Sequence, residues 1–528
     1  MPPRLAGPVQ GWSGLEQPKG ESPILAQARN LKFNAVWFSP LSEATAIEKQ
    51  SRGRTVTGSY YAIRDHFRLD RDITSGDAEK DKAHLRHFCA EAKKNNMRVY
   101  ADLVFNHIAA DHPLVLEENS EINRIKKDAV SYGLIRGHKN KIIGLRYTDA
   151  GGQAHDVHLK FRRNNDLSLL VDGPKDDPWC DVAHINFASP EANRYFITGD
   201  KDHKALFKEV IDWHLDLGFT AFRCDAAYML PPNAWQELIS YTRQKQPDVI
   251  FMAETLGDRP DKVARMKQAK QPGVHGNERP SFDLGMLGTY WWNYVDTWLP
   301  QGEHPRVLSM AHFGGAGAPD NHDTEGTIAG NLRKAFNHES RSDDIIAAAC
   351  VRDYAVAALA CQSVFMQMGY EYCKEEQNSV FRDDVKPEDW ARLVNERAGT
   401  KMDISDRLRA INQLKENLDV DNCRVTFRNI SASDDGRVAR LHCLYADADT
   451  QEPKANVVLL LNLQPEKGDA KVSAATLDRL KCHGLVPMAG VADGGTVRDV
   501  LVYHTPVTAV SAPVSAPVKK TAGFHPKR

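Results

Sequence analysis

Short apolar runs that end on a polar or charged residue recur along this chain, and each is followed by a stretch with helical spacing. This alternation limits the fold more than any other feature, because strand–helix–strand repeats run their strands parallel and need helical crossovers. Strands are predicted at Asn34–Phe38, closed by Ser39-Pro40, at Met97–Phe105, and at 219–225, 249–254, 281–286, 306–312 and 363–368. Helices are predicted at Ile24–Asn30 and at 77–95, 190–217, 233–246, 259–270, 342–360 and 404–417. Seven strands of a (β/α)₈ barrel are readable this way, and Leu5–Val9 is the expected first strand. Residues 107–185 are polar, punctuated by glycine and too long for a loop without structure of its own, so a small inserted domain is expected there. Beyond about residue 420 the pattern shifts to strands at Arg437–Tyr445, Asn456–Leu463 and Asp499–Tyr503 with little helix, which predicts a terminal antiparallel β domain.

Composition narrows the partners. The 528 residues carry 68 Lys plus Arg against 70 Asp plus Glu, a formal charge of −2. Nucleic acid or an acidic membrane as main partner would favour a basic surface, so neither is expected. Nine cysteines, an odd number with no Cys-x-x-Cys pair, read as reduced thiols. Met1–Gln10 lacks the pattern of a signal peptide, and no run reaches the ~18 apolar residues of a membrane helix. A cytoplasmic protein is expected.

Chemistry concentrates at the predicted strand ends. Gly218–Asp225 (Gly-Phe-Thr-Ala-Phe-Arg-Cys-Asp) closes on Arg223 and Asp225, two residues apart and so on one face of a strand. An arginine in that position holds the carboxylate ionised and aimed, as a nucleophile requires. Val249–Glu254 ends on Glu254, Met97–Phe105 leads into Asn106 and His107, and the loop after 306–312 carries His322 and Asp323. Functional groups of such barrels sit at the carboxyl ends of the strands, where all of these fall. Each has a plain structural alternative: Arg-x-Asp as an ion pair, Glu254 as a helix-cap neighbour, Asn-His-Asp as a self-bonded loop, His107 as a packed histidine. The ordered combination is what points to two carboxylates flanking a glycosidic bond.

Four motifs carry a resemblance to the α-amylase family of glycoside hydrolases and transglycosylases: Asp102-Leu-Val-Phe-Asn106-His107, Gly218-Phe-Thr-Ala-Phe-Arg223-Cys-Asp225, Phe251-Met-Ala-Glu254 and Asn321-His322-Asp323. Asp181-Val-Ala-His-Ile-Asn186 and Ser59-Tyr60-Tyr61-Ala-Ile-Arg-Asp65 are similar to two further segments of that family, and the set spans about residues 30 to 370. The resemblance implies an α/β fold: a (β/α)₈ TIM barrel with an inserted domain B after strand 3 and a C-terminal antiparallel β-sandwich. The expected division is barrel 1–106 and 186–418, domain B 107–185, β-sandwich 419–510 and a flexible tail 511–528. It implies Asp225 as nucleophile, Glu254 as general acid/base and Asp323 as the third acid on the sugar hydroxyls. Arg223 would keep Asp225 charged, Asp102 would brace both, His107 and His322 would bond the sugar, and Tyr61 would stack on it. No cofactor is required for this chemistry. Many members bind a structural calcium through the Asn106 position, domain B carboxylates and a main-chain carbonyl near Met229, which makes Asn106 the one candidate metal ligand.

The chain departs from the commonest pattern after Asp225, where Ala-Ala-Tyr228-Met229 stands in place of a lysine and histidine that meet the acceptor sugar. Acceptor contact through Tyr228 would be apolar stacking. Tyr290, Trp291, Trp292 and Tyr294 lie where stacking platforms would help acceptors, but the favoured reading is a packed helix face. Asp111-His-Pro-Leu-Val115, Leu230–Ile239 and Pro247–Glu254 are similar to maltosyltransferases that use maltose 1-phosphate. The expected activity is retaining cleavage of α-1,4-glucosidic bonds in maltooligosaccharides or glucans, by hydrolysis or transfer. The alternatives are a maltose 1-phosphate-dependent transferase and a catalytically silent glucan-binding protein.

Overall fold

The computed structural model describes residues 3–51, 54–162, 180–255, 270–272, 278–280, 282–286, 315–322, 326–335, 342–381, 384, 386–419, 423–431, 437–447, 450–482, 484–488 and 496–506. The helix expected at 259–270, apart from its last residue, lies outside them, as do the strand at 306–312, Tyr290, Trp291, Trp292, Tyr294, Asp323 and the tail from 507.

Seven parallel strands make one sheet, in the order β1 (Ala35–Trp37), β2 (Arg98–Leu103), β3 (Ala221–Cys224), β4 (Ile250–Glu254), β5 (Leu284–Met286), β6 (Gly315–Gly317) and β7 (Ser363–Val364). Spatial order follows chain order, as strand–helix repeats dictate. Strand alternation separates two apolar layers. Tyr100, Ala221, Met252, Met286 and Ala316 fill the inner face of the curled sheet, while Val99, Ala101, Leu103, Phe222, Cys224, Phe251 and Ala253 face the surrounding helices.

The helix Ala78–Lys94 shows how the outer layer forms. Asp77 caps it by accepting from Glu79 N and Lys80 N, and Leu85, Phe88, Cys89 and Ala92 repeat at helical spacing along its buried side. Against it lies the turn into β3. Gly218 has φ +95°, and a Cβ there would come within 2.9 Å of Cys89 Cβ. Glycine is therefore required for the chain to leave the helix Leu206–Asp216 and enter the strand that carries Arg223.

Two expectations are corrected. Leu5–Val9 is not a strand: Pro3–Ala6 is a 3₁₀ turn and Val9–Ser13 a helix. Gly7, at φ +72°, and Pro8 interrupt any extended run, and Val9 and Trp12, three apart, are buried together, with Trp12 packed on Phe38 and Phe88. The helix expected at 190–217 is broken into Pro190–Asn193, a π turn at Arg194–Thr198, and Leu206–Asp216. The break falls at Gly199, whose positive φ sets a turn where a Cβ would meet His203 O at 2.7 Å.

After β2 the chain forms the strand His107–Ala109 and the helix Pro113–Asp128, followed by three antiparallel strands, Ser131–Arg136, Ile142–Thr148 and Ala154–His158. It returns through Val182–Ile185, which pairs antiparallel with His107–Ala109. Past residue 420 a five-stranded antiparallel sheet includes Val438–Asp447, Pro453–Asn462 and Val500–His504. Val457, Leu459 and Leu461 join the core built on the helix Asp343–Ala360. Val458 and Leu460, on the opposite face, pack with Leu480 of a further helix, Ala474–Cys482. No helix among the described residues is long and apolar enough to cross a membrane.

Two buried histidines make this fold sensitive to acid. Burial, with His112 and His214 nearby, pushes His66 down to about 3. Burial also pushes His214 down to about 4, against the opposing hydrogen bond between its Nδ1 and Val210 O. Unfolded histidine titrates near ~6.5, so unfolding takes up protons below that pH. Their contribution is complete above about pH 6.5 and is lost as the pH falls toward about 4, at about 1.4 kcal/mol per pH unit for each histidine. His214→Gln is expected to shrink the fall in Tm between about pH 7 and about pH 5 relative to the unsubstituted protein, as read by calorimetry. An unchanged fall would refute the assignment.

Candidate active site

One fully buried arginine organises the carboxyl end of the sheet. Register sets Arg223 on β3 level with Asp102 on β2 and Met252 on β4. Arg223 Nη1 donates to Asp102 Oδ1 at 2.9 Å, to Asp102 Oδ2 at 3.1 Å and to Asp225 Oδ1 at 2.6 Å. Its Nη2 lies 2.9 Å from Glu254 Oε2. Three carboxylates carried by three adjacent strands or their ends thus meet one fully buried guanidinium. Burial alone would lower the arginine's pKa, but Asp102, Glu254, Tyr61 and Asp225 hold it well above its ordinary value. Burial pushes Asp102 up, opposed by Arg223 and reinforced by the Asp225 charge. The guanidinium also sits between two rings, 5.3 Å from the Trp37 centroid and 5.6 Å from that of Tyr61.

Around this cluster the other expected residues assemble. Tyr61 Oη donates to Asp102 Oδ2 at 3.0 Å and lies 3.1 Å from His322 Nε2. The hydroxyl has one proton, committed to the carboxylate, so His322 Nε2 carries the hydrogen between them. The Tyr61 and His322 rings stack at 5.5 Å with 16° between their planes. His107 Nε2 is 3.1 Å from Tyr61 O, a bond that places the ring's hydrogen on Nε2. His184 lies opposite His107 in the paired strands, and burial with the His107 charge pushes it down to about 3. Glu254 Oε2 accepts from Ala226 N at 2.6 Å. Ala226 makes that bond from a left-handed conformation (φ 42°, ψ 41°) costly for any residue with a Cβ.

The structure brings together Asp102, Arg223, Asp225, Glu254, Tyr61, His107 and His322. Asp323 lies outside the described residues. Tyr228 is half-buried and packs against the main core. Cys224 points away from the site into that core, where burial pushes its thiol well up. The sequence reading missed Trp37 and the Ala226 N–H. Trp37 was findable, since in Asn-Ala-Val-Trp-Phe it shares the inner parity with Ala35 at a strand end. The Ala226 contribution is a backbone conformation with no signal in residue type. Buried Asp320, beside the Asn-His-Asp motif, accepts from Gln367 Nε2 at 2.6 Å and Ile328 N at 3.1 Å and anchors that loop. Gln377 Nε2 donates to His322 O at 2.7 Å and holds it from the other side.

No family profile matches the chain. An α-1,4-glucan:maltose-1-phosphate maltosyltransferase of Corynebacterium glutamicum is 24% identical over 270 residues, 48% of this chain and 31% of that protein. Alpha-amylase 3 of Dictyoglomus thermophilum is 21% identical over 232 residues, 43% of this chain and 36% of that protein. The matches thus span about a third of the length of these curated relatives. Among solved structures, an α-amylase of Geobacillus thermoleovorans complexed with acarbose aligns over 95% of this chain and 93% of its own, with TM-score 0.57 and 16% identity. An α-amylase of Lactobacillus plantarum aligns over 94% and 95%, with TM-score 0.56 and 15% identity. The chain is similar in sequence and in fold to proteins of the α-amylase family. Its curled parallel sheet is the barrel architecture of those neighbours, and the Arg223 cluster occupies the carboxyl-end position where such barrels keep their chemistry.

Removing Arg223 leaves buried carboxylates without their counter-charge, a defect of about 3–5 kcal/mol. Arg223→Ala is expected to lower the unfolding free energy by an amount of that order, read from denaturant titration. Arg223→Lys should recover only part of it, because one ammonium cannot reproduce the planar fork toward three acids. Equal stability of Arg223→Ala and the parent would contradict the role of the cluster.

Proposed function

We propose that this protein is a retaining enzyme of the α-amylase type that cleaves α-1,4-glucosidic bonds of maltooligosaccharides or α-glucans through a covalent glycosyl-enzyme, and passes the sugar to water or to another sugar. The observation that carries this is the shared grip of Arg223 on Asp225 and Glu254 at the ends of adjacent strands. Two carboxylates drawn to one guanidinium favour the closer spacing of retaining enzymes, roughly 5–5.5 Å, over the wider inverting one.

In this reading Asp225, aimed by Arg223 Nη1, attacks the anomeric carbon as the bond to the leaving oxygen breaks. Glu254 gives that oxygen its proton, then takes one from the incoming water or sugar hydroxyl. Its Oε2 is engaged with Ala226 N and Arg223, so Oε1 is the oxygen assigned to carry the proton. One cation facing three carboxylates leaves the cluster short of positive charge, a setting that favours holding one proton among them. Asp323 grips sugar hydroxyls and supports the distorted, oxocarbenium-like state. His107 and His322 bond the sugar in the cleavage subsite, beside which Tyr61 stacks. Asp102 is the structural brace of Arg223, and Tyr228 meets the acceptor through its ring. The same reading carries the three-part organisation: a barrel closed by an eighth strand, an inserted domain over 107–185 and a C-terminal β-sandwich over 419–510.

A second reading, transfer of maltosyl groups from maltose 1-phosphate, is favoured by one observation. Two further relatives, of Bifidobacterium animalis and Arcanobacterium haemolyticum at 26% and 28% identity, are also named as α-1,4-glucan:maltose-1-phosphate maltosyltransferases.

Chromatography of maltoheptaose digests, with and without added maltose, separates the routes. Shorter products alone mean hydrolysis, and a ladder above the starting length means transfer. Phosphate release with chain growth, only when maltose 1-phosphate is supplied, supports the second reading. Asp225→Asn and Glu254→Gln are each expected to lower turnover on the productive substrate by about 10³-fold or more. Unchanged turnover in Asp225→Asn would overturn the assignment, and no turnover of any α-glucoside by the parent would leave a glucan-binding protein.

A further inference from the structure

The family's calcium, where members bind it, involves the Asn106 position at the join between barrel and inserted segment. The residues described at that join do not fit the ion. His107–Ala109 and Val182–Ile185 pair antiparallel, which sets His184 directly opposite His107. Ile185 N donates to Asn106 O at 3.0 Å. Asn106 Nδ2 lies 3.0 Å from His184 Nδ1 and 3.5 Å from His107 Nδ1. The two imidazoles meet nearly edge to face, with centroids 5.6 Å apart. All three side chains are buried.

Calcium takes about six to eight oxygen ligands, several of them charged. Among the described residues, the side chains gathered at Asn106 offer a neutral amide and two imidazole nitrogens. Asn106 Oδ1 is a buried oxygen without a hydrogen-bond partner, but one neutral oxygen falls far short of a calcium shell. An amide N–H directed at the imidazole already uses the lone pair a metal would need. Among the described residues no group of three or more His, Cys, Asp or Glu side chains could hold a metal ion.

We propose that the Asn106–His184 hydrogen bond does at this join what a bound calcium does elsewhere in the family, so that the folded state of this protein does not depend on the ion. The inserted segment is then fastened by the cross-strand pair and one buried amide–imidazole bond, all encoded in the chain. This inference rests on the family resemblance and the local geometry, and it stands or falls separately from the proposed activity.

The test is thermal unfolding of the whole protein in excess EDTA and again with calcium added back. The parent is expected to melt at the same temperature in both, within about 1 °C. His184→Ala is expected to melt at least about 2 °C lower in both conditions, with no rescue by calcium. His184→Asn, which keeps a polar partner for the amide, should lie closer to the parent and provides the comparison if the alanine variant does not fold. A Tm that falls in EDTA and is restored by calcium would overturn the proposal. So would a His184→Ala variant that melts with the parent in both conditions.

Discussion

A single buried cation sets the terms for the rest of this structure. Arg223 sits at zero exposure with three carboxylates within ion-pair distance, from three neighbouring strands. Burying that charge is tolerable only with its partners in place, and burying those partners is tolerable only with the arginine. The register of β2, β3 and β4 is therefore locked by more than the sheet's own hydrogen bonds. A slip of β3 by one residue would turn Arg223 outward into the apolar layer of Phe222 and Phe251 and leave Asp102 facing inward without it. Beneath the cluster Tyr100, Ala221, Met252 and Met286 form an apolar layer on the same inner face.

Precision at the mouth of the sheet comes from what surrounds the cluster. Tyr61 ties Asp102 to His322, and Asp320 and Gln377 hold the His322 loop from both ends. Ala226 is kept in a strained backbone state that gives its N–H to Glu254. Strain at a residue with a Cβ persists only where its surroundings over-determine it, and here the fixed ends of β3 and β4 do so. The inserted segment adds a separate layer of order. Its returning strand pairs with His107–Ala109, so the positions of His107 and Asn106 are set by residues more than seventy positions later in the chain.

Much of this was legible in the chain because the two repeats that matter have different periods. Helical spacing of Leu85, Phe88, Cys89 and Ala92, and strand parity of Arg223 and Asp225, place those residues on their faces with no tertiary information. The misreadings have local causes. Leu5–Val9 is apolar enough for a strand, but Gly7 and Pro8 break it and the Val9–Trp12 spacing favours a helix. The 190–217 run looks continuous because its apolar positions hardly falter, yet Gly199 at positive φ ends one turn before the next helix begins.

The order of apolar runs, the acids at their ends and the glycine ahead of β3 determined, from sequence alone, a parallel α/β fold and the residues that would meet. Covalent order and side-chain parity are enough for that, since each acts over a few residues. Tertiary structure decided what those residues do to one another. It made Arg223 the shared partner of Asp102, Asp225 and Glu254, set Trp37 and Tyr61 on either side of it, and put a histidine against Asn106. Those are properties of burial and of approach between distant segments. They depend on how strands curl and which charges lose their water together, and no stretch of sequence carries that by itself.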